Sequence, residues 1–376
     1  MKLNHIYKSI ACGVLLAMTA TSCDLDYNPV DTYSDVTEGV NKTDEKPIFN
    51  SVQDVETSMV TLHKKFRDQQ EHWYVDKLLI GDAHSDNAYA GTTGAEVVPY
   101  ETNSIEGSNS VLKRDWDRFL GDIAVANRII VGCDQLKALS ESERGKYQSQ
   151  AKIFRAMVMF DMVRLWGNFP VITTVGGDIT EDNVEEMYPT YFPPQNTAEE
   201  AYAQIEKDLT EAVENPNTPT NDTSDKSILT KSVARAMLAK VYAEKPLRDY
   251  AKVIKYADEL AADGFDLVED FSDLWAYDTE DCRVRNTKEA ILEAHFPPGS
   301  GNWCTWMFGR NLSNWDESFT WAKWITPSRD LIRLYEEQGD TKRYNESVVW
   351  YDCGWSNYYP ADHYAFMYKC RSAFNS

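Results

Sequence analysis

Residues 151–172 read AKIFRAMVMFDMVRLWGNFPVI, and this stretch decides the fold. Ile153, Phe154, Met157, Val158, Phe160, Met162 and Leu165 surround most of a helix that runs from Tyr147 to Trp166, instead of forming one stripe. Such a helix has no face to offer water, so it must be sandwiched between neighbours. Gly167 just past Trp166, and Pro170 soon after, are residues that end helices.

The sequence on either side supplies the neighbours. Val52 to Ile80 and Val111 to Leu139 carry apolar residues at three- and four-residue spacing. On the C-terminal side, Thr197-Ala198-Glu199-Glu200 is a capping box, followed by the apolar row Ile205, Leu209 and Val213 and stopped by Asn215-Pro216. A polar loop, NPNTPTNDTSDKS, leads to Thr230 as the N-cap of a helix bearing Ala234, Ala236, Ala239 and Ala243. Small residues let a partner helix come close, and Tyr250 to Ala262, closed by Gly264, is the expected partner. Such hairpins resemble tetratricopeptide units without meeting the repeat consensus cleanly. The expected class is mainly α: a framework of tetratricopeptide-like hairpins over about 51–265, then an irregular, loop-rich region with a few short strands over about 266–376. Glu289 to Phe296 reads as one such strand, and Ser328 caps a further helix, Arg329 to Gln338, ended by Gly339.

A net charge of −22 argues against nucleic acid as a partner, because phosphate binders cluster the Lys and Arg that are scarce here. The N-terminus reads as an export signal. Lys2 and Lys8 precede an apolar run, Ile10 to Ala20, too short to span a bilayer, and Ala20-Thr21-Ser22 precede Cys23. This pattern resembles a bacterial lipoprotein box, in which residues 1–22 are removed and Cys23 is acylated. Residues 23–50 read as an acidic tether. Asp24, Asp26 and Asn28 imitate the start of a calcium loop, but Pro29 replaces the turn glycine and Asp35 the final Glu, so no metal is expected there. Cys133, Cys282, Cys304, Cys353 and Cys370 form no C-x-x-C, and free buried thiols are the expectation, with one disulfide left open.

Three segments carry a family resemblance. Residues 151–172 resemble the A-x-x-x-R-A … G-x-[VF]-P-[LV]-I signature of the SusD/RagB lipoproteins. LTKSVARAMLAKVY at 229–242 is similar to their T-K-x-x-A-x-A-L-L-A-x-V-Y helix, and TPSRDLIRLYEEQGDTKR at 326–343 to their P-[ST]-x-x-L element. The resemblance implies a lipid-anchored protein on the outer face of a Gram-negative outer membrane. Its implied role is the lid of a SusC-like TonB-dependent transporter, capturing a nutrient that is usually a glycan. It also implies a further C-terminal helix beyond a strand like Met367 to Arg371, so the sequence reads as the front part of the family's length.

The candidate ligand site centres on NWCTWMFGRNLSNWDESFTWAKW at 302–324, which holds five of the eleven tryptophans. Glycans need flat rings for their C–H faces and planar polar groups for their hydroxyls. Trp303, Trp306, Trp315 and Trp321 supply the first. Asn302 and Arg310 supply the second, with Asn311, Asn314 and Asp316 between them, while Trp324 is assigned to packing of the next helix. Asp86, Asn87 and Tyr89 are the second group of candidate contacts, because the resembled family has a similar S-D-N segment whose loop borders the ligand. A triad from His84, Ser85 and Asp86 is not favoured, since adjacent side chains point apart, and neither is a metal site from His72, Asp76, Asp82 and His84. Phosphate loops and nucleophile elbows are missing from the sequence, so no cofactor and no catalysis are expected. Two other readings remain open: a surface lipoprotein with a protein-binding or adhesive role, and a glycosidase.

Overall fold

The computed structural model describes residues 47–90, 97–177, 179, 181, 183–274, 285–296, 325–351 and 364–367. The signal at 1–22, Cys23, most of the acidic tether and the whole tryptophan stretch lie outside the described residues.

Helix α1, Val52–Asp68, starts on a capping box: the Ser51 hydroxyl accepts from the Asp54 amide at 3.2 Å and the Asp54 carboxylate accepts from the Ser51 amide at 3.0 Å. The single helix expected from Val52 to Ile80 is interrupted at Gln69 (φ −85°, ψ 65°). Residues 67–71, RDQQE, include no apolar side chain to tie a turn to the core. Helical structure then resumes as a π turn, Glu71–Val75, a short α2, Asp76–Leu78, and a second π turn, Leu79–Ala83. Strand β1, Ala88–Ala90, and the short α3, Val98–Glu101, follow.

Helix α4, Ser110–Gln135, is capped by the Asn109 side chain, which accepts from the amides of Val111 and Leu112. It ends before Leu139, which is buried in the connection. Helix α5, Glu141–Trp166, begins earlier than its apolar pattern does, because Ser140 and Glu143 form a second capping box. Its apolar residues are inside on all sides: Ile153, Phe154, Val158, Met159 and Met162 are fully buried. They pack between α4 on one side and α7, Ala198–Glu214, on the other. Each such side chain contributes roughly 1.5–3 kcal/mol by leaving water.

Between α5 and α7 lies α6, Val184–Tyr191, which the apolar pattern did not reveal and which buries no residue. Helix α8, Lys231–Ala243, starts on Thr230 as expected and packs on α7 and on α9, Tyr250–Ala262. Gly264 follows at φ 93°, a conformation that favours glycine. The described part of the chain is thus mainly α-helical.

Polar bonds tie the stack together. Arg155 of α5, 3% exposed, makes a two-pronged pair with Asp208 of α7 at 2.7 and 2.8 Å. Its third nitrogen donates to Asn127 of α4 at 2.8 Å, and the Asn127 amide donates to the carbonyls of Ile172 and Thr174. One guanidinium therefore locks three helices and the segment leaving α5. A second buried carboxylate, Asp122 of α4, accepts from Trp73 Nε1 at 3.1 Å and lies 3.0 Å from His72 Nε2.

The expected strand at Glu289 to Phe296 is absent. Those residues form turns and unpaired chain, and Glu293 bonds only once through its amide to a neighbouring backbone, at the Lys226 carbonyl. Near the C-terminal end come β2, Ile325–Pro327; α10, Arg329–Gln338; α11, Thr341–Ser347; β3, Val348–Tyr351; and β4, Tyr364–Met367. Ser328 caps α10 and Gly339 ends it in the left-handed region at φ 65°, both as expected.

Candidate functional site

Strands β1 and β2 pair antiparallel, Ala88 with Pro327, Tyr89 with Thr326 and Ala90 with Ile325. The pairing brings together segments more than 200 residues apart in sequence. Ser328 is its clamp. Its amide donates to the Asn87 carbonyl at 3.0 Å; its hydroxyl donates to the Asp86 carbonyl at 2.5 Å and accepts from the Leu331 amide at 3.0 Å. The same hydroxyl thus caps α10 and holds the loop before β1.

Tyr89 completes the junction, its phenol oxygen accepting from the Arg329 amide at 3.1 Å. Its ring packs against the small cluster of Ile332, Val348 and Ala365. Thr326 donates its hydroxyl to the Ala365 carbonyl, so β4 is tied to β2. Two strands, one helix start and the loop at 84–90 form one braced unit.

A cavity of about 250 Å³ opens at this unit, bounded by Leu78, Asn87, Ile325, Leu331, Tyr335 and Val348 among others. It is smaller than the roughly 300–1,000 Å³ of pockets that enclose a drug-sized ligand. Its size suits one small moiety, and a longer ligand would extend beyond it.

Beneath the loop lies a buried acidic pair. Asp76 of α2 is fully buried and accepts from the Arg114 guanidinium. Asp115 on α4 is also buried, and that burial, together with the charge of Asp76, pushes its carboxyl up to about 9. Burial and the Asp115 charge push the Tyr100 phenol well above its ordinary range. Glu71 moves the other way: although burial opposes it, the Arg118 guanidinium 2.8 Å away holds its carboxyl low.

Of the residues singled out from sequence, Asp86 and Asn87 are exposed and Tyr89 is half-buried, all at this junction. Trp303, Trp306, Trp315, Trp321, Asn302 and Arg310 lie outside the described residues. His84 bonds Asn103 at 2.6 Å and the Ser85 hydroxyl donates to the Asp82 carbonyl at 2.8 Å, so neither is turned to the other. His72 and Asp76 are engaged with Asp122 and Arg114, away from His84. Ser328 was legible as a helix cap but not as the clamp on Asp86. A cap residue directly after a strand-like Ile-Thr-Pro is the signal that could have suggested it.

A family described as starch-binding and associating with the outer membrane, SusD-like, matches residues 32–243. A SusD-like protein of Bacteroides ovatus is 25% identical over 307 residues, which cover 78% of this chain and 50% of that protein. The chain thus spans about half the length of the curated relative it matches. Among solved structures, a laminarin-binding SusD-like protein aligns with a TM-score of 0.65 at 20% identity, covering 86% of this chain and 73% of that one. Surface glycan-binding protein A from Bacteroides fluxus aligns at 0.66 and 20% identity, covering 86% and 69%. Its namesake from Bacteroides thetaiotaomicron, solved with laminarihexaose, aligns at 0.63 and 15% identity, covering 85% and 71%.

Proposed function

Because this chain belongs to the SusD-like family of outer-membrane-associated proteins, we propose that it is a cell-surface, non-catalytic glycan-binding lipoprotein. In this reading it is anchored through Cys23, with residues 1–22 as signal and 23–50 as tether, and hands its ligand to a SusC-like TonB-dependent transporter. Residues 51–265 serve as a framework of tetratricopeptide-like hairpins and 266–376 as the binding region.

The β1–β2 junction carries this reading. It pairs Tyr89 with Thr326 and Ala90 with Ile325, the residue that directly follows the tryptophan stretch in sequence, and holds Asp86 and Asn87 at its Ser328 end. At about 3.3–3.6 Å per residue, chain length alone keeps Trp321 within roughly 14 Å of Ile325. In this reading the tryptophan stretch and the loop at 84–90 serve one ligand. Rings at Trp303, Trp306, Trp315 and Trp321 would stack on sugar faces, while Asn302, Arg310, Asp86 and Asn87 would bond hydroxyls. The solved relatives whose names state laminarin or laminarihexaose support a glycan as the ligand class.

The test is calorimetric titration of the purified protein with maltohexaose, laminarihexaose and xyloglucan oligosaccharides, with the sugars assayed afterwards for cleavage. Binding with intact sugar is expected. Release of shortened products would replace the binding role with a hydrolytic one, and failure of every glycan to bind would favour a protein-binding surface role.

A further inference from the structure

A second cleft lies in the helical framework, away from the β1–β2 junction. It has a volume of about 630 Å³ and is bounded by α1, α5 and the loop that joins α7 to α8. That volume is within the range of small-molecule sites. The loop, residues 215–230, has no regular structure of its own, and connections of such length in a compact fold are uncommon unless they serve a function.

The loop is held firmly. The Asn215 amide donates to the Gly145 carbonyl at 3.1 Å, the Thr218 hydroxyl to the Ala212 carbonyl at 2.6 Å, and the Lys231 amide to the Pro219 carbonyl at 2.8 Å. Asn221 is oriented from two sides, accepting from the Lys226 ammonium and donating to the Asp263 carbonyl at 3.3 Å. Gly145 sits inside α5, where glycine is unfavourable relative to alanine by roughly 0.5–1 kcal/mol. A Cβ there would meet Asn215 and Asn217 at 3.0 Å, so the glycine admits the loop against the helix. One wall of the cleft is therefore pre-organised before any ligand arrives.

The lining is mixed. Tyr147 offers a half-buried ring, and His63, Gln150 and Asn221 offer donors and acceptors. Burial holds His63 below its ordinary range, and its side chain bonds Gln150. The charged groups are one of each sign, Lys146 and Asp222, both exposed. A phosphate or other anion would meet Asp222, and an apolar ligand would strand the amides and the imidazole. A neutral, polyhydroxylated ligand suits a ring, paired donors and acceptors and no net charge.

We propose that this cleft, formed by His63, Tyr147, Gln150, Asn221 and the tethered 215–230 loop, is a second saccharide-binding site on the helical framework. It is independent of the site at the β1–β2 junction, so each can fail without the other. The experiment is hydrogen–deuterium exchange of the full protein with millimolar maltohexaose, laminarihexaose or a xyloglucan oligosaccharide. Residues 219–228 are expected to gain protection with at least one of them. Thr223→Trp, at an exposed position lining the cleft, fills it without removing a contact and should abolish that protection with melting unchanged. Asn221→Ala should weaken the effect about ten-fold. The proposal is overturned if the folded wild-type protein shows no protection at 219–228 with any of the three sugars, or if the protection persists in Thr223→Trp.

Discussion

Replacing Ser328 with alanine tests whether the junction is braced as described. The hydroxyl makes two bonds, accepting from the Leu331 amide at 3.0 Å and donating to the Asp86 carbonyl at 2.5 Å, and Ser328 is 1% exposed. Loss of a helix N-cap costs about 1 kcal/mol. Loss of the second bond, with a carbonyl deprived of its donor, costs about 1 kcal/mol more. If both act on one opening unit, the change is about 2 kcal/mol, or about 30-fold faster exchange of the amides it protects. Hydrogen exchange should therefore accelerate together at 87–90 and at 329–335, with α5 unaffected. Ser328→Thr keeps the hydroxyl and should retain most of the protection. Acceleration at α10 alone, with 87–90 unchanged, would refute the clamp and leave Ser328 as an ordinary cap.

The framework and the acidic pair give two further tests. Asp208→Ala leaves the buried Arg155 guanidinium without its partner and should cost about 3–5 kcal/mol in urea unfolding, whereas Asp208→Asn, which keeps an acceptor, should cost less. A loss below about 1 kcal/mol in the alanine variant would mean that the network does not hold α5 to α7. Asp115 holds its proton in the folded protein up to about 9, against 3.8 in the unfolded chain. Folding then takes up a proton throughout that window, so this group's contribution to stability falls as pH rises through it. Asp115→Asn mimics the protonated acid, and its stability should decline less than that of the wild type as pH rises from about 5 to about 9. Identical slopes in the two proteins would contradict the assignment.

The helical framework was legible because its signals are local. Apolar residues on every side of α5 required neighbours on every side, and Thr197, Thr230 and Ser328 cap the helices they were expected to cap. The break at Gln69 escaped because the apolar spacing on both sides of it is helical, and spacing does not say whether one helix or two carry it. Helix α6 escaped for a different reason: it buries nothing and contains Pro189, so it leaves no apolar period. Glu289 to Phe296 was misread because a short apolar run fits a strand as well as a loop, and no ladder partner reaches it among the described residues. The β1–β2 junction joins Ala88–Ala90 to Ile325–Pro327, and no periodicity within three residues can announce such a distant pairing. Arg155 could have been found, since an arginine flanked by Ile153, Phe154, Ala156 and Met157 in a sandwiched helix requires a buried acidic partner.

The most direct measurement of the central proposal is calorimetry of the purified protein and four single variants, Trp303→Ala, Trp306→Ala, Trp315→Ala and Trp321→Ala, against the glycan that the wild type binds most tightly. Loss of a stacked ring should weaken binding by about 1–2 kcal/mol, or roughly 5- to 30-fold, in at least one variant whose melting temperature is unchanged. Wild-type affinity in all four variants would contradict an aromatic glycan site following the chain back from β2.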